Sequence, residues 1–458
     1  MRVVSTLAGC LCLSGLVFGQ GMAQNPFAGG TPSAQPVAGS LALTLSDALD
    51  RGLKYNLGVV LGQQGTRTAE AARLRALSAL LPNVNIRVSE LSQQINLAAL
   101  GFTGFPGIPQ ILGPFNVVDA RAMVTSPVLD LAARYGTQAG AAGVKAAQSS
   151  LEDARDVVVL VVGNLYLRAV AGQARIETVR AQLTTAEALY QRAADMKKAG
   201  VVPAIDVLRS QVEMQAQQQR LIYYRNEFEK QKLELARAIG LALGQQFELA
   251  GRLSYSPPPL IGFEQALEEA YRTRSDYRGA QALVSAAESA RRAARAQRYP
   301  TLSVEADYGD IGSVPQQSHG TYTAGASLNI PVFQGDRVTA AVLEADALVE
   351  RRRAELEDLR GAIQYQVRTA FLDLAAAGDQ VKVAESAKDL AGQELAQAQD
   401  RFTAGVVDNL EVVQAQQAVA TANENYIDSL YAYSLGKVSL ARSLGGAEQK
   451  ARQFLGAQ

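Results

Sequence analysis

KKAGVVPAIDVLRSQ at residues 197–211 and FTAGVVDNLEVVQAQ at residues 402–416 have the same construction. Each carries a long helical pattern to an Ala-Gly-Val-Val break and then resumes it, with an acid two or three residues into the new run. Pro203 lies near the first position of the outgoing helix, where a missing N–H costs little. The chain therefore makes the same helix–turn–helix twice, 205 residues apart.

The flanks of both breaks follow heptads. Val158, Val162, Leu165, Ala169, Gly172, Ile176, Val179, Leu183, Ala186, Tyr190 and Ala193 alternate steps of four and three, which is a coiled-coil seam. Val207, Met214, Leu221, Phe228 and Leu235 recur every seven beyond the first break, and Val412, Val419, Tyr426, Tyr433 and Leu440 beyond the second. A helix running from about Ala132 to Lys198 would be roughly 100 Å long at 1.5 Å per residue. Such a length calls for an elongated assembly rather than a compact globule.

The repetition extends upstream. SLALTLSDALDRGLKYN (40–56) parallels PLIGFEQALEEAYRTRSD (259–276), with Leu45, Ala48 and Leu49 matching Phe263, Ala266 and Leu267. Leu81-Pro82-Asn83-Val84 returns as Tyr299-Pro300-Thr301-Leu302, 218 residues on. From Leu151-Glu152-Asp153 and Leu356-Glu357-Asp358 onward the offset is 205, and it holds as far as Ile239-Gly240 and Leu444-Gly445. A register kept over about ninety positions marks an internal duplication. Each copy reads as one helix of about thirty residues ending at a Pro, two alternating segments, a second Pro and the broken helical stretch.

The alternating segments have period two. Leu302, Val304, Ala306 and Tyr308 oppose Ser303, Glu305, Asp307 and Gly309, and Tyr322, Ala324, Ala326, Leu328 and Ile330 oppose Thr321, Thr323, Gly325, Ser327 and Asn329. In the first copy Val84, Ile86 and Val88 alternate with Asn83, Asn85 and Arg87, while a partner near Phe115 to Thr125 sets Val118, Ala120, Ala122 and Val124 against Asp119 and Arg121. One face is apolar and one polar, as in a half-solvated soluble sheet or in barrel strands spanning lipid in about 9–11 residues. GFTGFPGIPQILGP, between the first pair, reads as an exposed tip.

The N-terminus reads as an export signal over residues 1–23, with Arg2, an apolar run from Val3 to Phe18, and small residues at Gly21-Met22-Ala23. Leu7-Ala8-Gly9-Cys10 also outlines a lipid-modification box, although the apolar run before it is shorter than the usual length of about 7–15 residues. Both cysteines, Cys10 and Cys12, leave with the signal. No later stretch has the ~18 or more uncharged apolar residues of a membrane-spanning helix. Any crossing must then be made by strands closed into a barrel.

Forty-four basic residues balance 44 acidic ones, so net charge does not suggest nucleic acid as a partner. One His, no mature Cys and no phosphate loop leave little from which to build a nucleophile or a metal site, so neither catalytic residues nor a cofactor is expected. His319 reads as a loop residue, and Arg351-Arg352-Arg353 beside Glu350, Glu355 and Glu357 as a charged helix face. The expected organisation is a signal (1–23), a flexible leader (24–40), a first copy (41–250), a linker (251–260), a second copy (261–446) and a tail (447–458). Within the first copy the strand pair occupies about 83–127 and the helical hairpin about 132–248; within the second they occupy about 301–332 and 336–444.

From about Leu43 to Gly446 this layout resembles the TolC-like outer-membrane efflux protein family, most specifically at the two AGVV tips and their Asp-Val-Leu or Glu-Val-Val helix starts. The resemblance implies a mixed α and β fold. Three protomers would each give four strands to a twelve-stranded outer-membrane β-barrel, and their coiled-coil hairpins would form a periplasmic α-barrel. It also implies a non-enzymatic exit duct of a tripartite efflux or type I secretion system: a homotrimer held in outer-membrane lipid, joined by a periplasmic adaptor (membrane fusion) protein to an inner-membrane pump of RND or ABC type. The adaptor-docking tips would comprise Gly200, Val201, Val202, Asp206, Gly405, Val406 and Val407. Glu411 matches an acidic aperture ring, whose second acid corresponds to Gln414 and whose locking Arg corresponds to Val407, leaving Asp408 as a candidate substitute. The rival, a periplasmic coiled-coil adaptor or scaffold, would need a lipoyl-like or small β-barrel domain between its helices, and the sequence has none.

Overall fold

A computed structural model describes residues 25–32, 39–101, 107–257, 261–407 and 409–456. The expected signal peptide with Cys10 and Cys12, and the gate candidate Asp408, lie outside the described residues.

Each copy begins with two helices rather than the single helix expected from its pattern. In the first copy these are α1 (Leu45–Tyr55) and α2 (Leu57–Ser78), preceded by the short strand β1 (Leu41–Leu43); in the second they are α5 (Phe263–Thr273) and α6 (Ser275–Ala296). The breaks fall at Asn56 and Arg274, both extended (ψ 135° and 126°) and both buried. Apolar periodicity runs through the breaks because each helix keeps a face on the core, so the pattern alone does not reveal them.

Strands β2 (Asn83–Asn96), β3 (Ile111–Leu129), β5 (Thr301–Gly312) and β6 (His319–Asn329) form one antiparallel sheet in the order β2-β3-β5-β6. Two expectations change here. Ile111–Pro114 belong to β3 rather than to the apolar tip, and His319 opens β6 opposite Ile311 rather than lying in a loop. Cross-strand register joins the two copies rung by rung. Ile86, Ala122, Tyr308 and Tyr322 share one rung on the apolar face, and Asn85, Met123, Asp307 and Thr323 share a rung on the other. The apolar face is bare: Val84, Ile86, Val88, Tyr308, Tyr322 and Leu328 are all exposed. β2 and β6 are open edges.

Below the sheet run α3 (Leu131–Lys198) and α4 (Ala204–Ala238) of the first copy and α7 (Arg337–Thr403) and α8 (Asn409–Leu444) of the second. At 68 residues α3 is about 100 Å long. It contains one 18-residue window apolar enough, by length and composition, to cross a membrane; 56% of that window is buried within the chain. Val158, Val159, Val162 and Tyr166 are buried among α1, α4, α9 (Ala447–Leu455), β1 and β4 (Phe247–Leu249).

The segments expected to be loose are docked. In the leader, the Thr31 N–H donates to the Tyr55 carbonyl (2.8 Å), and Phe27 packs on Gly58, where a Cβ would meet its ring at 2.3 Å. Leu41–Leu43 pair in parallel with Phe247–Leu249, tying the start of the first copy to its end. In the linker, the Ser256 carbonyl accepts from the Tyr433 hydroxyl (2.7 Å) and the Lys437 ammonium (2.9 Å). The tail is helix α9, with Ala447 and Ala451 buried, its N-terminus capped by Asp156 and its Arg452 paired with Asp50. These contacts connect residues far apart in sequence, which no local pattern encodes.

Candidate functional site

The two tips close with the same backbone device. Val201 N–H donates to the Met196 carbonyl (2.9 Å) and Gly200 N–H to that of Lys197 (3.0 Å); Val406 N–H donates to the Arg401 carbonyl and Gly405 N–H to that of Phe402, both at 3.0 Å. These paired bonds satisfy the last carbonyls of α3 and α7 and require a left-handed residue, supplied by Gly200 (φ +74°) and Gly405 (φ +71°). Pro203 stands just before α4 as its N-cap.

The structure divides the seven expected docking residues. Gly200, Val201, Gly405 and Val406 face outward. Val202 and Val407 instead pack on a small core of Leu189, Ala398, Phe402, Val412 and Ala415. Asp206 is buried, with a side chain 3.4 Å from Arg209.

The residue that fastens one tip to the other is Asn409, which sequence reasoning missed. Its amide, 1% exposed, donates to the Asp206 carbonyl (2.9 Å) and the Ser210 hydroxyl (2.5 Å). It continues a polar seam along α4, where Asp206, Ser210, Glu213 and Gln217 are buried while the heptad residues Val207 and Met214 are only half-buried. Gln217 donates to Glu213 (2.7 Å), but its own carbonyl oxygen has no partner. Thr178, Gln182, Thr185, Gln416 and Asn423 line the adjoining cavity. Near the tips the two hairpins thus meet through amides and hydroxyls between α4 and α8 and through a small apolar core between α3 and the second hairpin.

Glu411 does not stand free at the start of α8. Arg401, in the last turn of α7, reaches it at 2.5 Å across the turn. A cation is therefore present although Val407 occupies the expected Arg position. The fold-back places the last turn of α7 beside the first of α8, so the spacing of ten residues was the available signal. In the first copy the corresponding residues are Met196 and Asp206, which cannot form an ion pair. Gln414 is exposed. Among the described residues no group of three or more His, Cys, Asp or Glu is placed to hold a metal ion.

The second charged locus lies at the break between α5 and α6. Arg274, 2% exposed, grips Asp276 with two bonds (3.0 and 2.6 Å) and donates to Gln366 (2.8 Å). Asp153 pairs with Arg442, and Asp156 accepts the Ala447 N–H (2.8 Å). Burial pushes Asp153 and Asp156 above the ordinary carboxylate range despite these partners. Burial also opposes ionisation of Asp276, but the Arg274 fork prevails and holds it below that range.

A model of the family described as "Outer membrane efflux protein" matches residues 266–446, the second copy from α5 to the end of α8. The second copy is therefore similar in sequence to this family. Pyoverdine export outer membrane protein OpmQ of Pseudomonas aeruginosa is 26% identical over 429 residues, covering 90% of this chain and 87% of that protein. The fold matches the outer-membrane channel OprN (TM-score 0.75, 20% identity, 92% of this chain and 99% of that one) and the Campylobacter jejuni channel CmeC (TM-score 0.78, 16% identity, 90% and 87%). The chain thus has the fold of these outer-membrane channels, four strands above long helical hairpins.

Proposed function

We propose that this protein is the exit duct of a tripartite efflux or type I secretion assembly, working as a homotrimer that receives cargo from an inner-membrane pump of RND or ABC type through a periplasmic adaptor. The supporting observation is the sheet: one bare apolar face, one polar face and two open edges. Unpaired backbone groups are not tolerated in lipid. Four strands cannot close on themselves around a lumen, so β6 of one copy must pair with β2 of the next, and three copies give twelve strands. α3 and α7 then extend the wall into the periplasm.

The outward residues Gly200, Val201, Gly405 and Val406 form the adaptor-facing rim, while Val202, Val407 and Asp206 hold the rim together. The Arg401–Glu411 pair and the Asn409 clasp keep the second hairpin closed, and opening breaks both. Gln414 lines the entrance. Three copies of Glu411 give the aperture its negative charge once Arg401 lets go. The test is fractionation: a heat-labile trimer in the outer-membrane fraction is expected, and a soluble monomer would end this reading.

A further inference from the structure

The polar face of the sheet carries five charges: Arg87 on β2, Asp119 and Arg121 on β3, and Glu305 and Asp307 on β5. Four of them form a group. The Arg121 guanidinium bonds Asp119 (3.0 and 3.1 Å) and Asp307 (2.6 Å), and it can lie flat between them because residue 309 is glycine. A Cβ there would meet the Arg121 Cβ at 2.2 Å. Arg87 sits directly across from Arg121 on the neighbouring strand, exposed and without an ion pair among the described residues, so by proximity the four formal charges sum to zero.

Glu305 stands apart. Its rung consists of Asn83, Thr125 and Gly325, all uncharged, and its carboxylate is exposed with no ion pair among the described residues. The Arg121 backbone is four residues farther along the sheet, about 13 Å at 3.3 Å per residue, and although its guanidinium reaches back to Asp307, two residues from Glu305, it is already shared by two carboxylates. In the closed barrel the strand next to Glu305 on its outer side is still its own β6 (HGTYTAGASLN), which contains no Asp, Glu, Lys or Arg, and the neighbouring copy's β2 with its Arg87 lies beyond that strand.

We infer that Glu305 forms a negatively charged belt inside the barrel, which makes the exit favour cationic over anionic solutes independently of the periplasmic tip. The inference rests on the barrel closure proposed above. Twelve strands about 4.8 Å apart and tilted by about 40° enclose a backbone radius of roughly 12 Å. At about 0.1 M salt the screening length is about 10 Å, so three carboxylates act across the whole lumen. The belt lies at the third polar-face rung from the helix end of the sheet, after Thr301 and Ser303, and the neutral group lies farther out, toward the hairpin turns.

A reporter thiol reads the local potential without passing the tip. With Cys10 and Cys12 in the expected signal, Thr125→Cys, on the same rung as Glu305, is the only thiol of the mature chain. Cells or outer membranes carrying it are treated with a membrane-impermeant cationic methanethiosulfonate (trimethylammonium-ethyl) and with its anionic sulfonatoethyl counterpart, and the ratio of the two rates is measured. In buffer of about 10 mM ionic strength, Glu305→Gln should lower the cationic preference about threefold or more, and Arg87→Gln should raise it. Both differences should vanish near 1 M salt, where the screening length is about 3 Å. Asn83→Cys, on the same rung, is a second reporter should the first not assemble. An assembled outer-membrane trimer whose ratio is the same in all three backgrounds overturns the belt and leaves the duct standing, as does a Thr125→Cys thiol that stays unreactive while Val124→Cys, on the apolar face, reacts. Failure to find any trimer in the outer-membrane fraction would instead end the duct reading, and the belt with it.

Discussion

Asn56 and Arg274 occupy the same point of the duplicated unit, 218 residues apart, and perform the same task with different chemistry. Asn56 is neutral and fully satisfied: its oxygen accepts the Gly58 N–H (2.9 Å), and its amide donates to the carbonyls of Phe27 (2.8 Å) and Ala238 (3.0 Å). Arg274 reaches the Ser443 carbonyl (3.4 Å), and Ser443 lies 205 residues after Ala238, so the same contact to the end of the long hairpin occurs twice. Just beyond, Gly240 (φ +65°) abuts Tyr55 and Gly445 (φ +77°) abuts Thr273, again at matching positions. The duplication has preserved a contact between two parts of the fold while exchanging the side chain that makes it. Arg274 brings in a set of buried charges, whereas Asn56 is tied to the leader.

The largest expected effect breaks the charged version. Arg274→Met leaves Asp276, Asp153 and Asp156 facing Arg442 alone, at a cost of about 3–5 kcal/mol in unfolding free energy, measured by denaturant titration in detergent. Asn56→Ala strands two carbonyls and one N–H but no charge, and should cost about 1–3 kcal/mol. If the two losses were equal, the contrast between the junctions would be lost.

The next effect sharpens the comparison through pH. Asp153 and Asp156 titrate above the ordinary carboxylate range when folded, so their contribution is complete below that range and fades as pH rises through the raised values. Asp276 works oppositely: its contribution is present above the ordinary range and fades as pH falls through its lowered value. Thermal midpoints from about pH 2 to 8 should therefore decline on both sides, the acid decline falling below about pH 4, and Asp156→Asn should flatten only the decline toward higher pH. The smallest effect on stability belongs to the tips, where the same exchange of chemistry recurs as Arg401–Glu411 against Met196 and Asp206. Both partners of the ion pair are well exposed, so Arg401→Met should move stability by less than about 1 kcal/mol. Its single-channel conductance should nevertheless rise, and an unchanged conductance would remove the pair from the closure mechanism.

Much of this architecture was legible because it is written locally. Ala199-Gly200-Val201-Val202 and its copy at 404–407 announced both turns, since a left-handed helix ending needs glycine wherever it occurs. Alternation in 301–309 and 321–330 announced the strands, because successive side chains of a strand point to opposite faces. The candidate site was less legible. Its outward glycines and valines could be named from the tip motif, but Arg401 and Asn409 emerged only when the turn brought α7 against α8 and α8 against α4.

The sequence by itself therefore determined the barrel strands, the long broken helices, their order and which strand face is apolar, through patterns among neighbours within a few residues, and it showed the duplication by repeating those patterns. The tertiary structure decided where helices break, that the leader and tail are docked, that α4 buries Ser210, Glu213 and Gln217 instead of a clean apolar seam, and which charges neutralise one another. Those outcomes depend on polar groups up to about 400 residues apart finding partners once water is excluded, as Arg452 does with Asp50. A buried donor, acceptor or charge is stable only beside its complement, and that complement is set by the packing of distant segments.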